Sequence, residues 1–314
     1  MSHQYRAWRD YLTQLVESAT SESDSYSILH TASMVGLFTC VFIKSHLRSR
    51  VRNISSAEIK RGLGGLHGNK GAIILRFNLE DTSLCFTNCH LAAGQSQTAS
   101  RNADITAILE ATVLPEEKDL DTRLQNYVGG GNGTMIMDHM ICIVNGDLNY
   151  RIDTMSRSTV VKSIETGNLT KLLERDQLLV SRRRNPGFRL GSFKEQIITF
   201  VPTYKYDVGS DRFDTSEKSR SPAWCDRILY RGFGAVRQVD YRRHELQLSD
   251  HRPVSGLFLM RIRKVDQERR AIVHEQAKDR LDAVRETLAR DVKYVFSLSY
   301  THIQANRIQA RISR

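Results

Sequence analysis

Apolar residues near the start of the chain recur at spacings of three and four. Trp8, Tyr11, Leu12 and Leu15 share one face between Tyr5 and Ser18, which predicts an amphipathic helix. The pattern then changes. Met34–Lys44 is mostly apolar and predicts a buried strand. Gly71–Asn78 and Ser83–His90 predict two more strands, separated by the turn-like Glu80-Asp81-Thr82. Helical spacing returns from Ala99 to Thr112. Pro115–Thr134 is polar, contains the run VGGGNG, and predicts a mobile surface insertion without regular structure. Met140–Val144 predicts a strand and Val160–Leu173 a helix. Ile197–Phe200, Ile228–Arg231 and Val254–Leu259 predict short strands. Helices and strands are interspersed, with no regular βαβ period and no internal repeat. The pattern predicts an α/β fold with mixed or antiparallel sheets. From Val265 to Arg290 the sequence is highly charged, with Val273, Ala277, Leu281, Val284 and Leu288 on one helical face. The final stretch, THIQANRIQARISR, carries no recognisable chemistry.

Composition narrows the picture. The 314 residues suit one large domain, or one domain with an appendage. Hydrophobic content of 40% and charged content of 26% are those of a chain with a packed core. A formal net charge of +11 favours anionic partners: nucleic acid, phosphorylated small molecules or anionic lipid. Cys40, Cys85, Cys89, Cys142 and Cys225 are odd in number and scattered, which suggests a reducing compartment rather than a disulfide framework. Cys85, Cys89 and His90 lie close together, but no second pair stands at zinc spacing. The N-terminal MSHQYRAWRDYLTQL lacks the apolar core of a signal peptide. The run Met34–Ile43, interrupted by Gly36 and Thr39, is too short to span a bilayer. The expectation is a soluble, cytoplasmic protein whose membrane contact is peripheral.

Five segments could carry chemistry. In ICIVNGDLNYRID an apolar strand breaks at Gly146 and delivers Asp147 and Asn149 to one side, provided the backbone stays extended. The carboxylate could orient or deprotonate a water and the amide could donate to a developing oxyanion; an ordinary Asx turn fits equally well. LSDHRPVSGLF places Asp250 and His251 before an apolar run, as a phosphate contact and proton donor or as a strand-capping turn. In RSPAWCDRILYRG, Asp226 could hold an imidazole in one tautomer, or form a salt bridge to Arg227. RGLGGLHGNKGAIILRF is neither a Walker loop nor GxGxxG. It offers backbone amides and the Lys70 ammonium to an anion, or is simply a flexible hairpin. PTYKYDVGSDRFDTSEKSR could converge Tyr204, Lys205, Lys218 and Arg220 on a phosphate, or be a solvated loop.

Taken together and in order, GLHGNKGAIILRF, FTNCHLAAGQSQ, VNGDLNYRID, FVPTYKYD, SPAWCDRIL and SDHRPVSGLF resemble the catalytic domain of the inositol polyphosphate 5-phosphatases. The likeness runs from about Met34 to Phe258, and PAWCDRIL and GDLNYR are its most specific strings. Asp176-Gln177-Leu178 and the helix after Val265 look like the Lowe-syndrome-type branch, whereas FTNCHLAAGQSQ looks like the synaptojanins. The resemblance implies a four-layer α/β/β/α sandwich of the DNase I, exonuclease–endonuclease–phosphatase kind. That domain would span residues 1–264, with a charged helical extension over 265–314. It also implies Mg²⁺-dependent removal of the 5-phosphate from phosphoinositides such as PI(4,5)P2 at a membrane surface, and no specific nucleic acid. Asp147 would position or activate the water, Asn149 would bind the phosphoryl oxygens, and His251, oriented by Asp226, would contact the scissile phosphate. His90 would be a further phosphate contact, and Asp250 a candidate metal ligand in the same cluster. Tyr204, Lys205, Lys218 and Arg220 would recognise the 4-phosphate; Asn69 and Lys70 would lie near the 1-phosphate, facing the membrane. Two departures stand out. Cys89 replaces the Ser usual before the histidine, and nothing before Met34 matches the family's opening Thr-Trp-Asn and Gln-Glu strands, whose Asn and Glu help hold magnesium. The expectation is therefore a 5-phosphatase domain without its first strands, weakly active or inactive as written. Its alternatives are a phosphoinositide-binding pseudophosphatase and a nuclease of the same superfamily.

Overall fold

The computed structural model describes residues 2–312, with side chains for all of these except residues 22 and 295–312. The first helix, α1 (His3–Ala19), is capped by Ser2, whose hydroxyl accepts from the Tyr5 amide. Tyr5 hooks it onto the next hairpin: its hydroxyl donates to the Met34 carbonyl at 2.8 Å, and its ring stacks on Phe38. The apolar face of α1 stays open, with Trp8, Tyr11 and Leu15 all exposed.

That hairpin corrects the single strand expected at Met34–Lys44. Two antiparallel strands, β1 (Tyr26–Met34) and β2 (Leu37–Lys44), are joined by a tight turn at Val35-Gly36. The main sheet has five strands in the order β3 (Val51–Gly62), β4 (His67–Leu79), β5 (Thr82–His90), β6 (Ile141–Asp147) and β7 (Asp226–Arg231). β5 and β6 run parallel and the other neighbours are antiparallel. Along β4, alternate residues face opposite layers. Ala72 and Ile74 pack with Cys85, Cys142 and Val144 against Ile105, Ile108 and Leu109 of α2 (Thr98–Glu110). Leu75 and Phe77 join Leu84 and Ile141 against Leu29 and Ile43 of the β1–β2 hairpin. Both faces are covered, so β4 and β6 carry unbroken apolar runs, AIIL and ICIV.

The layer opposite that second face is not one continuous sheet. Besides β1–β2 it receives Val236 and Met260 from a separate hairpin, β8 (Val236–Arg243) with β9 (Val254–Met260). Between β5 and β6, the polar connector expected as a plain loop contains α3 (Leu120–Asn126). Backbone bonds from Leu114 to Thr134 and from Glu117 to Asn132 tie it down, and Tyr127 is buried. The helix expected over Val160–Leu173 is two helices, α4 (Arg157–Glu165) and α5 (Leu169–Leu173), broken at Gly167. The helix α6 (Gln177–Arg184) follows, capped by Asp176. Ile197–Phe200 forms no strand; Ile198 is buried against Trp224 while Ile197 is exposed.

The chain divides into two compact units, Met1–Arg263 and Lys264–Arg314. The second consists mainly of α7 (Gln267–Ile312), whose Val273, Leu281, Val284 and Leu288 are exposed. Lys278–Glu275 and Arg285–Asp282 pair along its surface. The side chains of THIQANRIQARISR lie outside the described residues.

Candidate active site

The main sheet ends in a row of polar groups. Register sets Gly71 of β4 opposite His90 of β5, His90 opposite Asp147 of β6, and Asp147 opposite Asp226 of β7. Neighbouring strands lie about 4.8 Å apart, so one sheet edge presents Lys70, His90, Asp147 and Asp226 side by side. Gly146 allows β5 and β6 to close here: its φ is +122°, and a Cβ would sit 2.2 Å from the Cys89 carbonyl oxygen.

After Asp147 the chain doubles back. Asn149 adopts a left-handed φ of 58°, which Asn tolerates better than most residues. Its backbone N–H donates to Asp147 Oδ1 at 2.9 Å and its Nδ2 to Asp147 Oδ2 at 3.0 Å. The other Nδ2 hydrogen goes to the Leu91 carbonyl at 3.1 Å. Both amide hydrogens are therefore spent inside the protein. Asn149 is buried, and without a ligand it holds Asp147. Its Oδ1 accepts from the Arg151 guanidinium, which also lies over the Tyr204 ring at 4.3 Å.

Nε2 of His90 stands 3.3 Å from Asp147 Oδ2 and also against the Lys70 ammonium. One nitrogen can accept from Lys70 or donate to Asp147, not both; in either case a positive charge faces the carboxylate. Burial pushes Asp147 up, but the His90 hydrogen bond and the charges of His251, His90 and Lys70 outweigh it and hold the carboxyl below its ordinary range. Burial also lowers Lys70, with Asp147 opposing that shift.

Asp226 opens β7. Its carboxylate accepts from Thr203 Oγ1 at 2.7 Å and from His251 Nδ1 at 2.9 Å. That fixes the ring, and Nε2 is the nitrogen left for a ligand. Tyr204 pairs with His251 through the backbone, and the two rings are 4.6 Å apart. Burial lowers His251, yet Asp226, with Asp147 and Asp250 behind it, outweighs burial and raises the imidazole above its ordinary value.

The remaining expected residues are less concentrated. Lys205 faces Asp250 at 3.8 Å. Asp214 bonds the backbone N–H groups of Ser216 and Arg220 and donates its own to the Lys205 carbonyl, which pins that loop beside the site. The Lys218 and Arg220 side chains stay exposed on it, without a hydrogen bond or ion pair among the described residues. Lys70 stands against His90, and Asn69 is exposed beside it. No three His, Cys, Asp or Glu side chains converge as a metal cage among the described residues. Asp147 is engaged by Asn149, Asp226 by His251 and Thr203, and Asp250 by an ammonium. The donor set does not fit a protein-built divalent site, and Asp250 stands in an ion pair rather than a carboxylate cluster.

Residues 1–257 match the family described as Endonuclease/Exonuclease/phosphatase family 2. The chain belongs to the endonuclease/exonuclease/phosphatase family. Within it the homology is to the inositol polyphosphate 5-phosphatases. A "probable inositol polyphosphate 5-phosphatase" of Schizosaccharomyces pombe is 45% identical over 314 residues, all of this chain and 26% of that protein. The type II inositol 1,4,5-trisphosphate 5-phosphatase of Mus musculus is 36% identical over 244 residues, 77% of this chain and 23% of that one. The chain thus spans about a quarter of the length of these curated relatives. Among solved structures, the 5-phosphatase domain of a synaptojanin in complex with inositol (1,4)-bisphosphate and calcium ion superposes with a TM-score of 0.74 at 34% identity. That match covers 90% of this chain and 77% of that one. The α/β, DNase I-like architecture expected from sequence is the fold of this family. A Cimex nitrophorin shares it with a TM-score of 0.61 at 18% identity, so the fold alone names no chemistry.

Sequence reasoning missed two residues that brace this cluster. Arg151 stands inside the quoted GDLNYR string, two residues from Asn149 and in register to reach it. Thr203 stands inside PTYKY and supplies the second bond to Asp226.

Proposed function

We propose that this chain is the catalytic domain of an inositol polyphosphate 5-phosphatase, acting on phosphoinositides such as PI(4,5)P2. It would work as a peripheral protein on the cytoplasmic surface of membranes. The observation that carries the reading is the row His90–Asp147–Asp226 on one sheet edge, with His251 held by Asp226, in a chain homologous to proteins named for that activity. No described helix is long and apolar enough to cross a membrane. Mg²⁺ belongs to the proposal as the expected metal, although no three His, Cys, Asp or Glu side chains among the described residues converge to hold it.

Asp147 is ionised at neutral pH and held well below the range of an efficient base. It therefore orients the attacking water through hydrogen bonds rather than removing its proton in advance. His251, raised by Asp226, carries a proton at Nε2 to the scissile phosphate or the leaving inositol oxygen. Lys70 and Arg151 add positive potential at the same edge, where charge accumulates on the phosphoryl group. Lys205 and the loop bearing Lys218 and Arg220 supply cations for a neighbouring phosphate.

The test is phosphate release from PI(4,5)P2 liposomes with Mg²⁺, on this chain and on His251→Ala. Release that the variant loses supports the proposal. Binding without release supports the second reading, a phosphoinositide-binding pseudophosphatase.

A further inference from the structure

Arg151 is 6% exposed, yet among the described residues no carboxylate forms an ion pair with its guanidinium. Burial opposes its charge, but Cys225, Tyr204 and Asp147 outweigh burial and hold the guanidinium above its ordinary value, so what it touches directly matters. Nε donates to the Asn149 carbonyl at 3.0 Å and a terminal nitrogen donates to Asn149 Oδ1. The guanidinium face covers the Tyr204 ring, whose other neighbour is the His251 imidazole. Behind it, Gln177 Oε1 accepts from the Arg151 backbone N–H at 2.9 Å and from the buried Arg101 guanidinium. Gln177 Nε2 in turn donates to the Gln95 carbonyl and to Asp153.

Two consequences follow from donor chemistry. A guanidinium can only donate, so Asn149 Oδ1 must face Arg151 and Nδ2 must face Asp147 and Leu91. Turned the other way, the amide would set an oxygen against the Asp147 carboxylate. The same hydrogen bond polarises the amide and strengthens its donation to Asp147. In addition, the stack of Arg151, Tyr204 and His251 links the Asp147–Asn149 half of the site to the Asp226–His251 half.

We propose that Arg151 is a positioning residue: it fixes the Asn149 amide, and through it the Asp147 carboxylate, and it seats Tyr204 against His251. Only the kinetic part of its test rests on the 5-phosphatase reading. In the wild-type chain the Asn149 Nδ2 hydrogens, identified in NMR spectra by their loss in Asn149→Asp, are protected from solvent exchange. In Arg151→Lys and Arg151→Met they exchange at least about tenfold faster, because an ammonium cannot replace the two-point fork. In Tyr204→Leu, which leaves both bonds to Asn149 in place, they stay protected. With PI(4,5)P2 liposomes, kcat of the folded Arg151 variants falls about 10- to 100-fold while KM stays within about threefold. An unprotected Asn149 amide in the wild type, unchanged exchange in Arg151→Lys, or a rise in KM alone would each overturn the proposal. If the wild type releases no phosphate, the 5-phosphatase reading fails and the exchange measurements alone decide the role of Arg151.

Discussion

At the scale of single residues, surroundings move His251 and Asp147 in opposite directions, and both shifts widen the working pH range. In the proposed mechanism Asp147 acts ionised, and its carboxyl is held below the usual value of about 3.9, so the acid limb of kcat/KM should fall below that pH. His251 must be protonated, and Asp226 raises it above about 6.5, so the alkaline limb lies above that pH. Asp226→Asn removes the raising charge and should bring the alkaline limb down toward 6.5; a limb that stays where it was would remove His251 from the mechanism. The same logic applies to stability at His139, which lies outside the site. Its ring is fully buried, its Nδ1 donates to the Met135 carbonyl, and burial, aided by Arg76, pushes its pKa down to about 4. A histidine lowered in the folded state stabilises above its unfolded value, and that stability is lost as pH falls from about 6.5 toward 4. The loss should reach about 3 kcal/mol by pH 4. Urea unfolding of wild type and His139→Gln at pH 7 and pH 4.5 checks this: the gap between them should narrow in acid, and a constant gap would refute it.

At the scale of elements, two glycines that look alike in sequence do different work. Gly146 sits where β5 and β6 meet, at φ +122° with the Cys89 carbonyl in the space a Cβ would need. Gly167 separates α4 from α5 at φ +71° with open space around it. Gly146→Ala should cost at least about 3 kcal/mol and displace Asp147, whereas Gly167→Ala should cost about 1 kcal/mol, the price of a left-handed residue alone. Chemical denaturation of the two variants separates these cases, and equal losses would mean the close approach at Gly146 is relaxed elsewhere. β4 and β6 were legible in the sequence because both faces of the sheet are covered and each carries an unbroken apolar run, AIIL in β4 and ICIV in β6. β3 and β8 were not: VRNISSAEIKRG and VRQVDYRR are half-exposed and carry charges that mask their alternation. Gly36 was read as an interruption within one strand, although it is the turn between two. The site was legible as a set of segments, since GDLNY, CDRIL and SDHRP each end or begin a strand. Its internal bonding was not. That Asn149 spends both amide hydrogens, and that Lys70 meets His90, depends on cross-strand register and on a left-handed turn, neither of which spacing reveals.

At the scale of the whole molecule, a net charge of +11 acts at two ranges. Within the cleft, a phosphate bound as proposed would lie against Lys70, Arg151 and Lys205, at a range that salt screens poorly. Over the rest of the surface, cations would meet an anionic bilayer across water in the proposed peripheral role, each Lys or Arg near the surface contributing about 1 kcal/mol that decays within a Debye length. Raising ionic strength from 0.01 to 0.15 M shortens that length from about 30 Å to about 8 Å. Binding to vesicles containing PI(4,5)P2 should therefore weaken at least about tenfold over that range, while affinity for a soluble inositol polyphosphate should fall by a smaller factor. Vesicle co-sedimentation and calorimetry with the soluble ligand measure the two separately. Equal salt dependence would place the recognition of lipid entirely in the cleft. Vesicle binding indifferent to salt would mean that exposed apolar residues, not the basic surface, hold the protein on the bilayer.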